Sequence, residues 1–225
     1  MKMVISKREM NYSIIIPLYA KNLLYFRVFS LVLLIIPFYF FDFIGLFIQK
    51  AALSYFSYTI NLINSFVGTI IIIIYYHTKK DISCYLSCIL QEVAFTFNLF
   101  VIIIYVTYIV QHHIRHGEYN SLYYFCYSFS AHTFPIIYSI LDAKLTSFYP
   151  NKRYRIFVFH FTSIYGLIQG ILIKSYNSAI TYIFLDFHNV LGTIFAQTFY
   201  STLILIHHQV LISIFKYLKV KRRLY

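Results

Sequence analysis

The sequence predicts an all-α protein, an integral membrane bundle of six transmembrane helices with both termini in the cytosol. Of its 225 residues, 60% are hydrophobic and only 12% are charged, whereas about 25% of residues are charged in a soluble domain. The apolar residues also come in long runs, such as residues 29–48 and 66–76, and do not alternate with polar ones. Runs of this length are typical of segments that cross a bilayer.

Six segments have the length of about 20 apolar residues that a membrane crossing needs. They are residues 27–48, 54–76, 83–110, 122–141, 155–173 and 189–215. This division predicts a basic cytosolic N-terminal segment (1–26), a transmembrane domain (27–215) and a basic cytosolic tail (216–225). The last connector contains an apolar patch, residues 180–187, which is too short to cross. We expect this patch to lie in the interface or to re-enter among the helices.

The basic residues predict the orientation of the bundle. Sixteen of the 19 Lys and Arg residues lie in segments that face the cytosol when both termini are cytosolic, and the other three are Lys50, Arg115 and Lys174. Cytosolic loops carry such an excess of basic residues in membrane proteins. Because the membrane accounts for the net charge of +12, the sequence predicts no nucleic-acid partner.

His132 is the best candidate for a general base. It lies near the middle of the fourth predicted span, where an ionisable group is costly and usually has a partner or a task. The ordinary pKa range of imidazole suits proton transfer near neutral pH. The alternative interpretation is structural, because a buried histidine also forms hydrogen bonds between transmembrane helices.

Several hydroxyl groups are candidate nucleophiles for such a base, and their spacing does not choose among them. They are Ser57, Ser65, Ser130 and Thr133. Ser and Thr in membrane helices often bond back to their own backbone instead. Glu92, a carboxylate within the third span, either orients a histidine or forms a structural pair with one.

Three histidines in the connector after the third span, His112, His113 and His116, have a spacing that would allow metal binding. Glu118 is the only acidic residue near them, and a solvated polar loop is the favoured interpretation. The sequence therefore predicts no metal and no cofactor.

Four stretches of the chain resemble the androgen-induced protein family. The fourth span and the loop after it match in His132-Thr133, Pro135, Asp142, Thr146-Ser147, Tyr149-Pro150 and Lys152. Residues 93–105 resemble the third span of the family, with Thr96 where the family has a proline. Residues 182–186 resemble the box before its last span. Residues 55–58, with Asn64 seven positions after Ser57, resemble the box that carries the nucleophile.

The resemblance implies a six-span enzyme that hydrolyses fatty acid esters of hydroxy fatty acids with an intramembrane threonine and histidine. On this match Ser57 stands at the threonine and His132 at the histidine, and a serine keeps the hydroxyl that the chemistry needs. Asn61, Asn64 and Thr133 are expected to support the substrate or the oxyanion. The expected partners are membrane lipid and a long-chain lipid ester, and the sequence identifies no protein partner.

The alternative function is a non-catalytic multi-pass membrane protein: a small transporter, a receptor-like bundle or a scaffold. The abundance of amide and hydroxyl groups in the spans, without a carboxylate-rich site, is compatible with such a role. For either function the expected location is an endomembrane, such as the endoplasmic reticulum, or the plasma membrane.

Overall fold

The computed structural model describes residues 20–40, 53–78, 85–115, 122–146, 149–176 and 190–223. Eight α-helices account for most of these residues: α1 (Ala20–Phe40), α2 (Leu53–Thr78), α3 (Tyr85–Ile104), α4 (Val110–Arg115), α5 (Leu122–His132), α6 (Phe134–Thr146), α7 (Arg155–Tyr176) and α8 (Val190–Arg223). A π-helical turn, Tyr105–Ile109, joins α3 to α4, and a 3-10 turn, Lys152–Tyr154, leads into α7. The predicted all-α class is confirmed.

Among the residues that the structure describes, three helical segments are long and apolar enough to cross a membrane: Ser54–Ile74, Leu86–Thr107 and Leu191–Leu218. A shorter apolar segment, Leu24–Ile36, lies in α1. Residues 41–48 of the predicted first span lie outside the described residues, as do the apolar patch 180–187 and most of the N-terminal segment. The count of six spans therefore stays a prediction.

The fourth predicted span, which was expected to be continuous, is interrupted at Thr133. Pro135 lacks a backbone N–H and cannot donate to the carbonyl of Ala131, one turn earlier. The backbone bonds on either side persist, because Thr133 donates to Phe129 at 2.8 Å and Ile137 donates to Thr133 at 3.2 Å. The interruption is consequently local, and α6 follows directly from α5.

Helix α3 is the central element of the described structure. Every residue from position 87 to position 98 is buried. Its aromatic rings meet those of α2 and α8: Phe97 lies edge-on to Phe56 at 5.7 Å and Phe100 edge-on to Tyr200 at 6.3 Å. Because so much of α3 is enclosed, the polar side chains on it must find partners on the neighbouring helices.

The polarity of α2 is the reverse of that of a helix in a water-soluble protein. Its exposed face carries large apolar side chains: Ile63, Phe66, Ile70, Ile73 and Ile74. Its buried face carries Ser54, Ser57, Asn61, Asn64, Ser65 and Thr69. A surface helix in water turns its polar residues outward. An apolar exterior with polar groups paired inside suits a hydrocarbon environment.

Candidate functional site

Ser57, the expected nucleophile, is buried on the inner face of α2. Its hydroxyl donates a hydrogen bond to Oδ1 of Asn98 on α3, at 2.5 Å. An amide oxygen is not a general base, so this contact fixes the hydroxyl without activating it. Chemistry at Ser57 would require its hydroxyl to rotate from Asn98 towards a base.

Asn98 is the centre of a polar cluster that links three helices. It forms a reciprocal amide pair with Asn61 of α2, in which each Nδ2 lies 3.0 Å from the other Oδ1. Its Nδ2 also lies 2.7 Å from the hydroxyl of Ser139 and 3.0 Å from the carbonyl of Pro135, both on α6. Asn61 donates further to the backbone carbonyl of Ser57 at 2.7 Å. Asn61, one of the expected supporting residues, therefore contacts the turn that carries Ser57.

His132 ends α5 and is held on two sides. Its Nδ1 lies 2.8 Å from the backbone carbonyl of Ser128, and its ring stacks on that of Tyr105 with centroids 4.4 Å apart. Since a carbonyl oxygen only accepts, Nδ1 must carry the proton, and Nε2 is then the basic nitrogen of the neutral ring. Tyr105 begins the π-helical turn, and such turns are frequent at functional sites.

The helices that carry Ser57 and His132 pack against each other at the same level of the bundle. Tyr55 and Tyr58, which flank Ser57, form one apolar cluster with Ala131, which precedes His132. Nevertheless, the described hydrogen bond of the Ser57 hydroxyl runs to Asn98. The two expected catalytic residues lie on adjacent, packed segments, each held by a different partner.

The other predicted residues lie around this cluster. Asn64 is buried one turn beyond Asn61, and its Oδ1 has no hydrogen-bond partner among the residues that the structure describes. Thr133 occupies the interruption between α5 and α6. Ser65, an alternative nucleophile, donates to the backbone carbonyl of Arg27 at 3.2 Å.

A buried ion pair lies nearer the opposite end of the bundle, where α1 begins and α6 ends. Nε of Arg27 is 3.1 Å from Oδ1 of Asp142, and both side chains are almost completely buried. Gln91 of α3 donates to Oδ2 of Asp142 at 2.7 Å. Gly68 of α2 makes room for the guanidinium, because a Cβ atom at this position would collide with Nη1 of Arg27.

Gly68→Ala is therefore expected to destabilise the protein by about 3 kcal/mol, because Arg27 must leave Asp142 as a buried charge without its partner. An alanine in a helix is otherwise about 1 kcal/mol more favourable than a glycine. Gly170→Ala on α7 is the matched control, since no atom lies within 4 Å of a Cβ built there. The measurement is the free energy of unfolding in lipid bicelles. Equal values for the two variants would contradict the packing role of Gly68.

A second buried pair joins α3 to α8. Nε2 of His208 lies 2.6 Å from Oε1 of Glu92, and both side chains have no exposed surface. The backbone N–H of Asn151, in the connector between α6 and α7, lies 2.8 Å and 3.1 Å from the two carboxylate oxygens of Glu92. Both interpretations of Glu92 require contact with a histidine, and the structure identifies that histidine as His208.

The residues that hold Ser57 and His132 in place were not predicted from the sequence. None of Asn98, Ser139 and Tyr105 was singled out from the sequence. One feature of the sequence could have identified Asn98: it is a single amide within an apolar run, and such an amide needs a hydrogen-bond partner once it is buried.

Metal binding finds no support in the described part of the chain, where no group of three or more His, Cys, Asp or Glu side chains could hold an ion. His116, of the predicted histidine cluster, lies outside the described residues, as does the stretch 182–186. No family model, no curated protein and no solved structure matches this chain. The resemblance to the androgen-induced proteins thus stays a prediction that depends on its motifs.

Proposed function

We propose that this chain is a six-span integral membrane protein with cytosolic termini, related to the androgen-induced proteins, that hydrolyses lipid esters within the bilayer of an endomembrane or of the plasma membrane. The substrate is a fatty acid ester of a hydroxy fatty acid or a similar long-chain ester. Ser57 is the nucleophile, His132 is the general acid and base, and no metal or cofactor takes part.

The observation that carries the proposal is the enclosed hydroxyl of Ser57 beside a segment that ends in a histidine. Nucleophilic acyl transfer uses a hydroxyl and a base that can reach it, and here both groups are buried on helices that pack together. The bond from Nδ1 of His132 to the Ser128 carbonyl supports the assignment further, because it leaves Nε2 as the basic nitrogen.

The proposed reaction has two steps. Ser57 rotates from Asn98, gives its proton to Nε2 of His132 and attacks the ester carbonyl; His132 then protonates the departing alkoxide. In the second step water cleaves the acyl-Ser57 ester. The amide groups of Asn61 and Asn98, which already converge on Ser57, are suited to stabilise the oxyanion once they exchange their present partners.

The apolar exterior of α2 and the three long apolar helices support the membrane location. An ester with two alkyl chains dissolves in the bilayer and reaches a site between the helices without crossing water.

A non-catalytic role is the second candidate, and one observation favours it. The described hydrogen bonds of Ser57 and His132 are those of structural residues, one to an amide and the other to a backbone carbonyl. Polar side chains between transmembrane helices often do no more than connect them.

A fluorophosphonate probe distinguishes the two candidates, because it reacts covalently with an activated serine. Purified wild-type protein in bicelles should be labelled, and peptide mass spectrometry should locate the label on Ser57. Ser57→Ala should remain unlabelled, and Ser163→Ala, on α7, should be labelled like the wild type. A folded wild-type protein that ignores the probe, and instead binds or moves a solute, would favour the non-catalytic role.

A further inference from the structure

Buried polar side chains form a row through the bundle from the Ser57–Asn98 contact to the Arg27–Asp142 pair. Ser65 and Tyr138 lie between these two ends. We call this row the polar track. Its members belong to four helices, α1, α2, α3 and α6, and all of those named here are buried.

The polar track has no apolar gap longer than about one helical turn. Residues 57, 61 and 65 follow one another at four-residue steps on one face of α2, which places them about 6 Å apart. On α6, Ser139 of the Asn98 cluster is followed after three residues by Asp142. The Ser65 hydroxyl completes the connection by donating to the carbonyl of Arg27 at 3.2 Å.

Two polar atoms along the track lack a partner within the described part of the chain. One is Oδ1 of Asn64 and the other is the hydroxyl of Tyr138. The Tyr138 hydroxyl lies close to that of Ser65, whose own proton is donated to the carbonyl of Arg27. Tyr58, an equally buried tyrosine, donates to the carbonyl of Leu34 at 3.1 Å. Buried polar atoms that lack a protein partner are usually satisfied by ordered water.

We propose that a file of bound water occupies the polar track and supplies the water that cleaves acyl-Ser57. The inference rests on the proposed hydrolase function. A site that receives its substrate from the bilayer needs a separate route for water, since hydrocarbon holds almost none. The track leads from Ser57 past Asn64 and Tyr138 to the charged pair, whose ions prefer hydrated neighbours.

The chemistry of the water step balances. The water oxygen bonds to the acyl carbon of the Ser57 ester while one water proton moves to Nε2 of His132. The tetrahedral intermediate then collapses, the bond between the acyl carbon and Oγ of Ser57 breaks, and Oγ takes the proton from His132. The products are a carboxylic acid and the free serine.

Hydration of the track can be measured without any substitution. Radiolysis of water generates hydroxyl radicals that oxidise side chains next to bound water, including buried ones. Water bound at the hydroxyl of Tyr138 should make this residue react several-fold faster than Tyr58, whose hydroxyl donates to the carbonyl of Leu34, although both are almost completely buried. Equal oxidation rates of Tyr138 and Tyr58 would overturn the proposal.

The role of the water file is tested with the double variant Ser65→Val/Tyr138→Phe, which removes two hydroxyls from the middle of the track and leaves Ser57 and His132 in place. Acylation of Ser57 by a fatty-ester substrate should keep its rate. Deacylation should slow about tenfold, the size expected when an ordered water loses its hydrogen bonds, and intact-mass spectrometry should detect acyl-enzyme. Ser163→Val is the control, since that hydroxyl bonds to Phe159 within α7.

The possible results separate this inference from the proposed function. Faster oxidation of Tyr138 together with accumulated acyl-enzyme supports the water route. If Ser65→Val/Tyr138→Phe deacylates at the wild-type rate, the water route is overturned, whatever the oxidation result, but the hydrolase function stands. Absence of acyl-enzyme and of turnover in the wild type overturns the hydrolase function, and the supply of water to Ser57 with it.

Discussion

His132→Ala should lower the turnover of a long-chain ester by about 10²- to 10⁴-fold, the usual contribution of a general acid–base group. The cause is the loss of Nε2 as the acceptor of the Ser57 proton. The hydrogen bond from Nδ1 to Ser128 and the stack on Tyr105 hold the ring rather than the substrate. We therefore expect the Michaelis constant to change little, and the measurement is kcat and KM in mixed micelles.

Two comparisons make this prediction specific. His160→Ala removes an exposed imidazole on α7 and should retain wild-type turnover. The double variant Ser57→Ala/His132→Ala should turn over the ester as fast as Ser57→Ala alone does, because the effects of residues that act as one unit are not additive. Additive losses, or equal activity of His132→Ala and wild type, would remove His132 from the mechanism.

His208→Leu should lower the free energy of unfolding by about 3–5 kcal/mol, the usual cost when one member of a buried acid–base pair is removed. Glu92 would keep only the N–H of Asn151 as a described donor, and its carboxylate has no exposed surface. The measurement is reversible unfolding in bicelles, followed by the circular dichroism of the helices.

The neighbouring histidine offers a matched control. Nδ1 of His207 lies 2.7 Å from the carbonyl of Leu203 in its own helix. His207→Leu should therefore lower the free energy of unfolding far less than His208→Leu does. The double variant Glu92→Gln/His208→Leu should be more stable to unfolding than His208→Leu alone, because glutamine is neutral and its side-chain oxygen still accepts the hydrogen bond from the N–H of Asn151. Equal losses for His207→Leu and His208→Leu would show that Glu92 does not depend on its histidine.

The sequence predicts the helices well and their mutual contacts poorly. Apolar runs locate α2, α3, α7 and α8, because a continuous apolar run of about 20 residues favours one long helix. The break at Thr133 was missed, although Pro135 is its cause, because a proline in an apolar run does not always interrupt a helix. The hydropathy of the segment, which determined the predicted span, does not detect a single missing hydrogen bond.

Which side chains meet in the site depends on the level of each residue in the bundle and on the rotation of each helix about its axis. Spacing along the chain determines neither. Ser57 and Asn98 are 41 residues apart, and nothing in either segment indicates that they share one level. The resemblance selected Ser57 among four hydroxyls, whereas spacing alone left all four open. Glu92 was expected to meet a histidine, but only the folded arrangement identifies His208 among the nine in the sequence.

The connector between α6 and α7 differs from an ordinary loop, because Glu92 binds its backbone at Asn151. Pro150 and Tyr154 on either side are buried. Loops usually accept insertions and sequence change freely, but an epitope or reporter inserted at Asn151 would disturb the backbone that Glu92 binds and the two buried residues on either side of it. Fusions that map which side of the membrane each connector faces should avoid it, since a misfolded fusion there would be mistaken for an inverted topology.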